Sequence, residues 1–296
     1  MEEENIKGAV RDAYAKVAKD EPRSFAVNSC CGGSTNFVSD ISLAVGYKKE
    51  DLDSVPEGAN LGLGCGNPTA LASLKKGETV LDLGAGAGFD CFLAANIVGV
   101  DGTVIGVDMT PEMVDKARSN ARKGGYKNVD FRLGELEHLP VADNSVDVLI
   151  SNCVINLTPD KAAVFKEAFR VLKPGGRFAV SDIVLLKDLP DAVKQSVAAY
   201  VGCLSGAIMK DAYLETIRAA GFEGVEIVDE TALASGFEGV EIVDGSTLSL
   251  DCFANDPTVQ TVRSSLSLTP EELDGVANAV RSIKVVGKSL RPPLSV

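Results

Sequence analysis

Between Thr79 and Val98 a short apolar stretch runs into Gly84-Ala85-Gly86-Ala87-Gly88 and then straight into a second apolar stretch. A strand that turns on alternating glycines directly into a buried helix has few places in a fold. It fits a parallel sheet whose crossover helices cover the faces, because both elements must then be apolar on all sides. The alternation continues. Thr103–Val107 reads as a strand ending at Asp108, and Thr110-Pro111 opens a helix that Gly124-Gly125 closes. Further strands are expected at 129–133, 146–151 and 177–183, and a helix at 159–172 that Lys173-Pro174-Gly175-Gly176 stops. The fold class expected is α/β.

The flanks are less regular. Ile6–Lys19 has helical spacing, and two glycine-rich loops follow, around Cys30-Cys31 and around Cys65. Residues 185–220 read mostly as helix, and an amphipathic helix near 269–280 precedes a strand at Ser282–Val286. The string from Gly221 to Asp229 recurs letter for letter from Gly236 to Asp244. Two copies are too few for a solenoid; one is expected in the sheet, the other at its edge or in a loop. The end, Arg291-Pro292-Pro293, is expected to fray. Three parts result: an extension (1–70), a central domain (71–184) and a C-terminal α+β region (185–296).

Composition removes whole classes of function. The net charge of −13 repels phosphate backbones and anionic lipid, so neither nucleic acid nor membrane is an expected partner. No apolar run is long enough to span a bilayer, and Met1-Glu2-Glu3-Glu4 lacks the pattern of a secretory signal. The expectation is a cytoplasmic monomer. A single histidine, His138, leaves no triad and no multi-histidine metal site. His138 itself reads as a solvated loop residue. The seven cysteines, odd in number and without an export signal, read as buried thiols, ligands or redox groups.

A glycine turn followed by an acid at the end of the next strand is the general plan of nucleotide sites in α/β folds. By itself such a turn also suits an ordinary strand-to-helix junction. Here the spacing is G-x-G-x-G. The third strand leads into Gly134-Glu135-Leu136-Glu137, the fourth into Ser151-Asn152, and the fifth follows Leu172-Lys173-Pro174-Gly175-Gly176. This ordered series, over about residues 75–185, resembles the class I S-adenosylmethionine-dependent methyltransferases. The resemblance implies a Rossmann-like sheet and S-adenosylmethionine as cofactor. It implies that Asp82, Gly84, Ala85 and Gly86 lie against the methionine part and that Asp108 takes the ribose hydroxyls. Met109 would pack on adenine, with core packing as the alternative; Glu135 and Leu136 would border its edge, and Asn152 would lie near the sulfonium.

Each cysteine alone reads more readily as a small buried hydrophobe than as a ligand. Cys91, inside the apolar helix, reads as core, and Cys252 has no assignment. Cys65 and Cys203 are flanked by glycine and Cys30-Cys31 lie in a Gly/Ser loop, which suggests accessible, reactive thiols. Cys153 follows a sheet end, where open α/β sheets bind ligands. With these settings the resemblance narrows. Asn60–Pro68, Val80–Ala95, Val107–Met113, Ile150–Lys161 and Gly202–Ala207 are similar to the arsenite S-adenosylmethionine methyltransferases, over about residues 5–230. That family implies trivalent arsenic held by Cys65, Cys153 and Cys203, with Cys30 or Cys31 in a disulfide relay. The repeated strand and the C-terminus depart from it.

Such a reaction suits the composition. Arsenic is soft and thiophilic, and its lone pair carries no proton to remove, so no general base is required. A thioredoxin-like or glutathione reductant would reset the relay. Two other readings remain open: a methyltransferase acting on a small organic molecule such as a quinone precursor, and a cysteine-rich metal-binding protein. The second lacks any C-x-x-C spacing.

Overall fold

The computed structural model describes residues 3–19, 37–234, 247–249 and 270–290. Cys30, Cys31, Cys252, the second copy of the repeat and the Arg291-Pro292-Pro293 end lie outside them. Five parallel strands form the centre: β1 (Thr79–Leu83), β2 (Thr103–Asp108), β3 (Val129–Leu133), β4 (Val146–Asn152) and β5 (Leu172–Leu185). Two C-terminal strands, β6 (Glu223–Ala234) and β8 (Val280–Lys288), and the short β7 (Thr247–Ser249) complete an eight-stranded sheet of order β3-β2-β1-β4-β5-β8-β6-β7. Strand β8 runs antiparallel to both β5 and β6. The first copy of the repeat thus lies in the sheet, in β6.

Strands β1 and β4 are buried along almost their whole length, as expected where helices cover both faces. Helices α5 (Phe89–Val98) and α6 (Pro111–Gly124) pack on one side, α7 (Lys161–Val171) and α10 (Lys210–Ala219) on the other. Burying each of the large side chains here, such as Leu81, Phe92, Leu149 and Ile150, is worth about 1.5–3 kcal/mol. A third apolar cluster sits over the C-terminal ends of the strands. It joins Val10 of α1 (Glu3–Lys19) to Tyr47, Tyr200, Cys65, Cys153 and Cys203.

Local signals place most of the boundaries. Thr110 and Pro111 start α6 and left-handed Gly125 ends it, but the Thr110 hydroxyl serves Asp108 instead of capping. Helix α7 ends at Val171, beside its predicted stop, but the residues of that stop are not a free loop. Lys173-Pro174-Gly175-Gly176 lies inside β5 and is absorbed by an irregularity against β4, where the register shifts between Val146 and Val148. The segment 185–220 is less helical than its composition suggests. It holds only α8 (Asp191–Lys194), α9 (Val197–Val201) and α10, because Cys203 turns left-handed after α9 and Leu185 bridges Met209. Short helices α2 (Phe37–Ala44), α3 (Lys49–Asp53) and α4 (Pro68–Leu71) lead into the sheet, with Asn67 accepting from Ala70 N–H to cap α4. Helix α11 (Pro270–Ala279) precedes β8. Among the described residues no helix is long and apolar enough to cross a membrane.

Candidate active site

Strand order reverses between β1 and β4, and a cleft opens beyond their C-terminal ends. That is the switch point at which doubly wound sheets take ligands. The turn after β1 forms its floor. Gly84, Gly86 and Gly88 all have positive φ, a region costly to other residues. A Cβ on Gly84 would drive into Val154, and one on Gly88 into the Phe92 and Phe131 rings; one on Gly86 would meet nothing within 4 Å. Gly86 therefore needs glycine for its backbone angle alone and leaves its main chain open to the cleft.

Asp108, at the end of β2, receives Gly86 N–H at 2.9 Å on Oδ2 and Thr110 N–H at 2.8 Å on Oδ1. Burial raises its pKa, and those main-chain bonds oppose the rise. Asp82 is 2 % exposed within β1 and accepts from Cys91 Sγ at 3.2 Å. Burial, then the charge of Asp90, pushes it well above the usual carboxylate range. Burial likewise brings Asp90 up to about 6. The cleft wall thus carries carboxylates whose charge is costly until something cationic faces them.

Ala85, Met109 and Leu136 line the cleft, Met109 half-buried. Glu135 stands off it: its carboxylate pairs with Lys7 of α1 at 2.7 Å, and that hydrogen bond holds its pKa down. Glu137, bridged to the same lysine at 3.0 Å, lines the cleft instead. His138 is exposed.

The three cysteines come from three separate elements. Cys65 lies on the loop before α4, Cys153 just after β4, and Cys203 just after α9. They meet: the Cys153 thiol is within hydrogen-bonding reach of both Cys65 and Cys203, and Cys203 Sγ donates to Cys153 O at 3.0 Å. Cys153 stands between the other two. Cys153 and Cys203 are two of only four non-glycine residues with positive φ among the described residues, at 57° and 63°. Such strain gathers at functional sites because neighbouring structure must hold it.

The expected accessibility of Cys65 and Cys203 is overturned, and Cys153 is buried with them. Cys65, Cys153 and Cys203 are 1 %, 9 % and 5 % exposed. The neighbouring glycines serve close contact: a Cβ on Gly64 would come within 2.5 Å of Asn152 Nδ2, one on Gly66 within 2.5 Å of Ser181 Oγ, and one on Gly206 would strike Asn156 O. Nor are the pKa values of Cys153 and Cys65 lowered. Hydrogen bonds to Cys203 and Cys65, then burial, push Cys153 well above the ordinary thiol value. At Cys65 the bond from Cys153 lowers the pKa, but burial and the Asp182 carboxylate outweigh it and the net shift is upward. Among the described residues no three side chains of His, Cys, Asp and Glu have the geometry of a metal-ion site; the thiols touch each other directly.

Behind the thiols lies a buried polar group that sequence reasoning missed. Asp182 of β5 accepts from Asn156 Nδ2 at 2.9 Å and from Tyr213 Oη at 3.1 Å, and burial lifts it to about 6. Ser181 Oγ and Asn156 Oδ1 are buried here without a partner, which is uncommon for buried polar atoms. The cleft residues Tyr47 and Asp90 were missed too. Tyr47 Oη donates to Asp90 Oδ1 at 2.7 Å. A carboxylate in an otherwise apolar helix, as at Asp90, or an apolar strand, as at Asp182, was the available signal.

Comparison with known proteins bears on this geometry. A methyltransferase domain family matches residues 74–221. An arsenite methyltransferase of Halobacterium salinarum is 51 % identical over 236 residues, covering 76 % of this chain and 59 % of the relative. Another, of Aquipseudomonas alcaligenes, is 37 % identical over 230 residues, covering 75 % and 63 %. The chain thus spans about three fifths of the length of these curated relatives. The crystal structure of CrArsM, an arsenic(III) S-adenosylmethionine methyltransferase from Chlamydomonas reinhardtii, superposes with a TM-score of 0.56 at 30 % identity, covering 88 % of this chain and 75 % of that one. A methyltransferase family leaves no room for a metal-binding protein without a donor site. The chain belongs to the arsenic(III) S-adenosylmethionine methyltransferase family.

Proposed function

We propose that this protein transfers the methyl group of S-adenosylmethionine to trivalent arsenic held by Cys65, Cys153 and Cys203. The observation that carries this reading is the contact of three thiols from distant parts of the chain, with Cys153 itself lining the donor cleft. The cleft suits the donor. Gly86 leaves an open main-chain surface, Asp108 lines the cleft with each carboxylate oxygen fixed by a main-chain N–H, and Asp82 and Asp90 supply negative charge for a cationic ligand. The donor, when bound, supplies an electrophilic methyl group on a sulfonium.

The chain's own residues position and hold. Arsenite at neutral pH is the uncharged hydroxide, and three protonated thiols replace its three hydroxyls with loss of three waters. No net proton is released, so the raised pKa values of Cys153 and Cys65 are no obstacle. The arsenic lone pair then faces the methyl carbon and no base is required. Transfer raises arsenic formally to the pentavalent state. Return to the trivalent state takes two electrons, which two thiols supply as they form a disulfide, and a thioredoxin-like or glutathione reductant restores them. Cys65 and either Cys30 or Cys31 are the thiols proposed for that relay.

The test is arsenic speciation after incubation with S-adenosylmethionine, arsenite and a thiol reductant. Methylated arsenicals are the expected product. Binding of S-adenosylhomocysteine without any arsenic methylation would instead point to a small organic acceptor. For the relay, replacing Cys30 and Cys31 together by serine should slow turnover of arsenite and spare a methylated trivalent arsenical; equal loss on both substrates would remove the relay.

A further inference from the structure

We propose that Asn152 is a positioning residue that couples the donor cleft to the Cys65 loop, so that methyl donor and trivalent arsenic bind cooperatively. The proposal rests on the thiol-site reading above and goes beyond it. Asn152 ends β4, half-buried, with its side chain on the cleft wall. Its Nδ2 lies 2.9 Å from Tyr47 Oη, 3.1 Å from Asp90 Oδ2 and 2.8 Å from Gly66 O. Its Oδ1 accepts the Cys65 N–H at 3.0 Å.

A carboxamide nitrogen carries two hydrogens, and here three acceptors compete for them. Two belong to the donor cleft. The third belongs to the loop, where the same side chain also takes the N–H of Cys65. Asn152 therefore brackets Cys65, accepting from its N–H and donating to the carbonyl of the next residue. Gly64 permits this, since a Cβ there would collide with the amide. The far side of the loop is fixed by Ser282 Oγ, which donates to Cys65 O at 3.1 Å. The residue after Asn152 is Cys153, whose thiol touches that of Cys65.

The competition gives the coupling its direction. A cationic donor in the cleft engages the Asp90 carboxylate and removes one acceptor from the contest. The amide hydrogens then settle on Tyr47 and Gly66, and the Cys65 loop is held more firmly. Arsenic that fixes Cys65 favours the same arrangement and leaves the Asp90 oxygen to the donor. Equilibrium coupling is reciprocal, so each ligand must tighten the other by one factor.

The experiment uses the full chain, arsenite, and sinefungin, a cationic donor analogue with no methyl to transfer. Calorimetry gives the affinity of each ligand alone and in the presence of the other. In the wild type each should tighten the other by about 5-fold or more, the lower end of common coupling. In Asn152→Ala each ligand should still bind and the coupling factor should fall to about 1, a change that general destabilisation would not produce. Asn152→Ser, too short to bridge cleft and loop, should behave alike and decides the matter if the alanine variant fails to fold. Undiminished coupling in a folded variant overturns the proposal, as does independent binding in the wild type. Failure of the wild type to bind arsenite at all is a different result: it removes the thiol-site reading first, and this proposal with it.

Discussion

The donor cleft and the thiol cluster adjoin, yet they are built in opposite ways. The cleft floor is local: β1, its glycine turn and α5 are consecutive, and Asp108 arrives one strand later. The cluster is assembled from the loop at Cys65, the end of β4 and the turn after α9. In the cleft, glycines take the positive φ angles at no steric cost. In the cluster, Cys153 and Cys203 adopt them despite their side chains. Burial leaves the cleft carboxylates poised to lose protons to a cation, whereas hydrogen bonds to its two neighbours, then burial, hold Cys153 toward its protonated form. A ligand that arrives charged is met by charge held at a cost, and a ligand that arrives neutral is met by neutral donors.

Separating the two sites by mutation tests the division most severely. Cys153→Ser removes the central soft donor and should lower arsenite methylation by more than about 100-fold, since disturbing only the supporting partners of a ligand already costs 10–100-fold. Affinity for S-adenosylhomocysteine should stay within about 3-fold. Wild-type turnover in this variant would dissolve the thiol site. The reciprocal variant, Asp108→Ala, loses a charged acceptor and should weaken S-adenosylhomocysteine binding by about 1.5–3 kcal/mol, measured by calorimetry. Arsenite binding by that variant in the absence of any donor analogue should be unchanged; a matched loss would mean that the two regions fold as one unit.

The carboxylate half of the comparison is sharpened by pH. Asp90 titrates at about 6 in the folded chain against an ordinary aspartate value of 3.8. Between those values the folded state holds more protons than the unfolded state, so this group's contribution to stability is full below the window and is lost as pH rises through it. Asp90→Asn removes that dependence. Urea unfolding should show the variant gaining on the wild type between pH 4 and pH 7. Sinefungin affinity should fall below pH 6 in the wild type, as Asp90 is neutralised, and change less in the variant. The smallest effect belongs to the thiols. Exchange of three hydroxyls for three protonated thiols is proton-neutral, so calorimetric arsenite affinity should vary by less than about 2-fold between pH 6 and pH 7.5, and a steep rise with pH would mean that the ligands enter as thiolates.

Much of the architecture was legible in the sequence for local reasons. Apolar runs buried on both faces marked β1, β2 and β4, Thr110-Pro111 and Gly125 marked the bounds of α6, and the acid at the end of β2 followed from strand length. The misreadings share a cause. Lys173-Pro174-Gly175-Gly176 has the composition of a loop, yet it lies inside β5 as the irregularity between Leu172 and Arg177, which pair with β4, and Ser289 bonds Gly175 and Gly176 from the other side. The glycines around Cys65 have the composition of a mobile segment, yet Asn152 and Ser181 press against them so closely that no side chain would fit. The pairing of Glu135 with Lys7, 128 positions away, left no local signal.

By itself, then, the sequence determined the order of strands and helices, the glycine turn and the acid that follows it, because periodicity and backbone freedom are properties of neighbouring residues; the three cysteines were singled out by resemblance. Tertiary structure alone decided that Cys65, Cys153 and Cys203 meet, that they are buried, that the pKa values of Cys65 and Cys153 are raised, that Tyr47, Asp90 and Asn152 form one hydrogen-bonded group, and that Asp182 lies behind the thiols. Those facts depend on which distant groups share a low-dielectric space, and the energies of burial and hydrogen bonding that set them exist only once the sheet has brought the ends of its strands together.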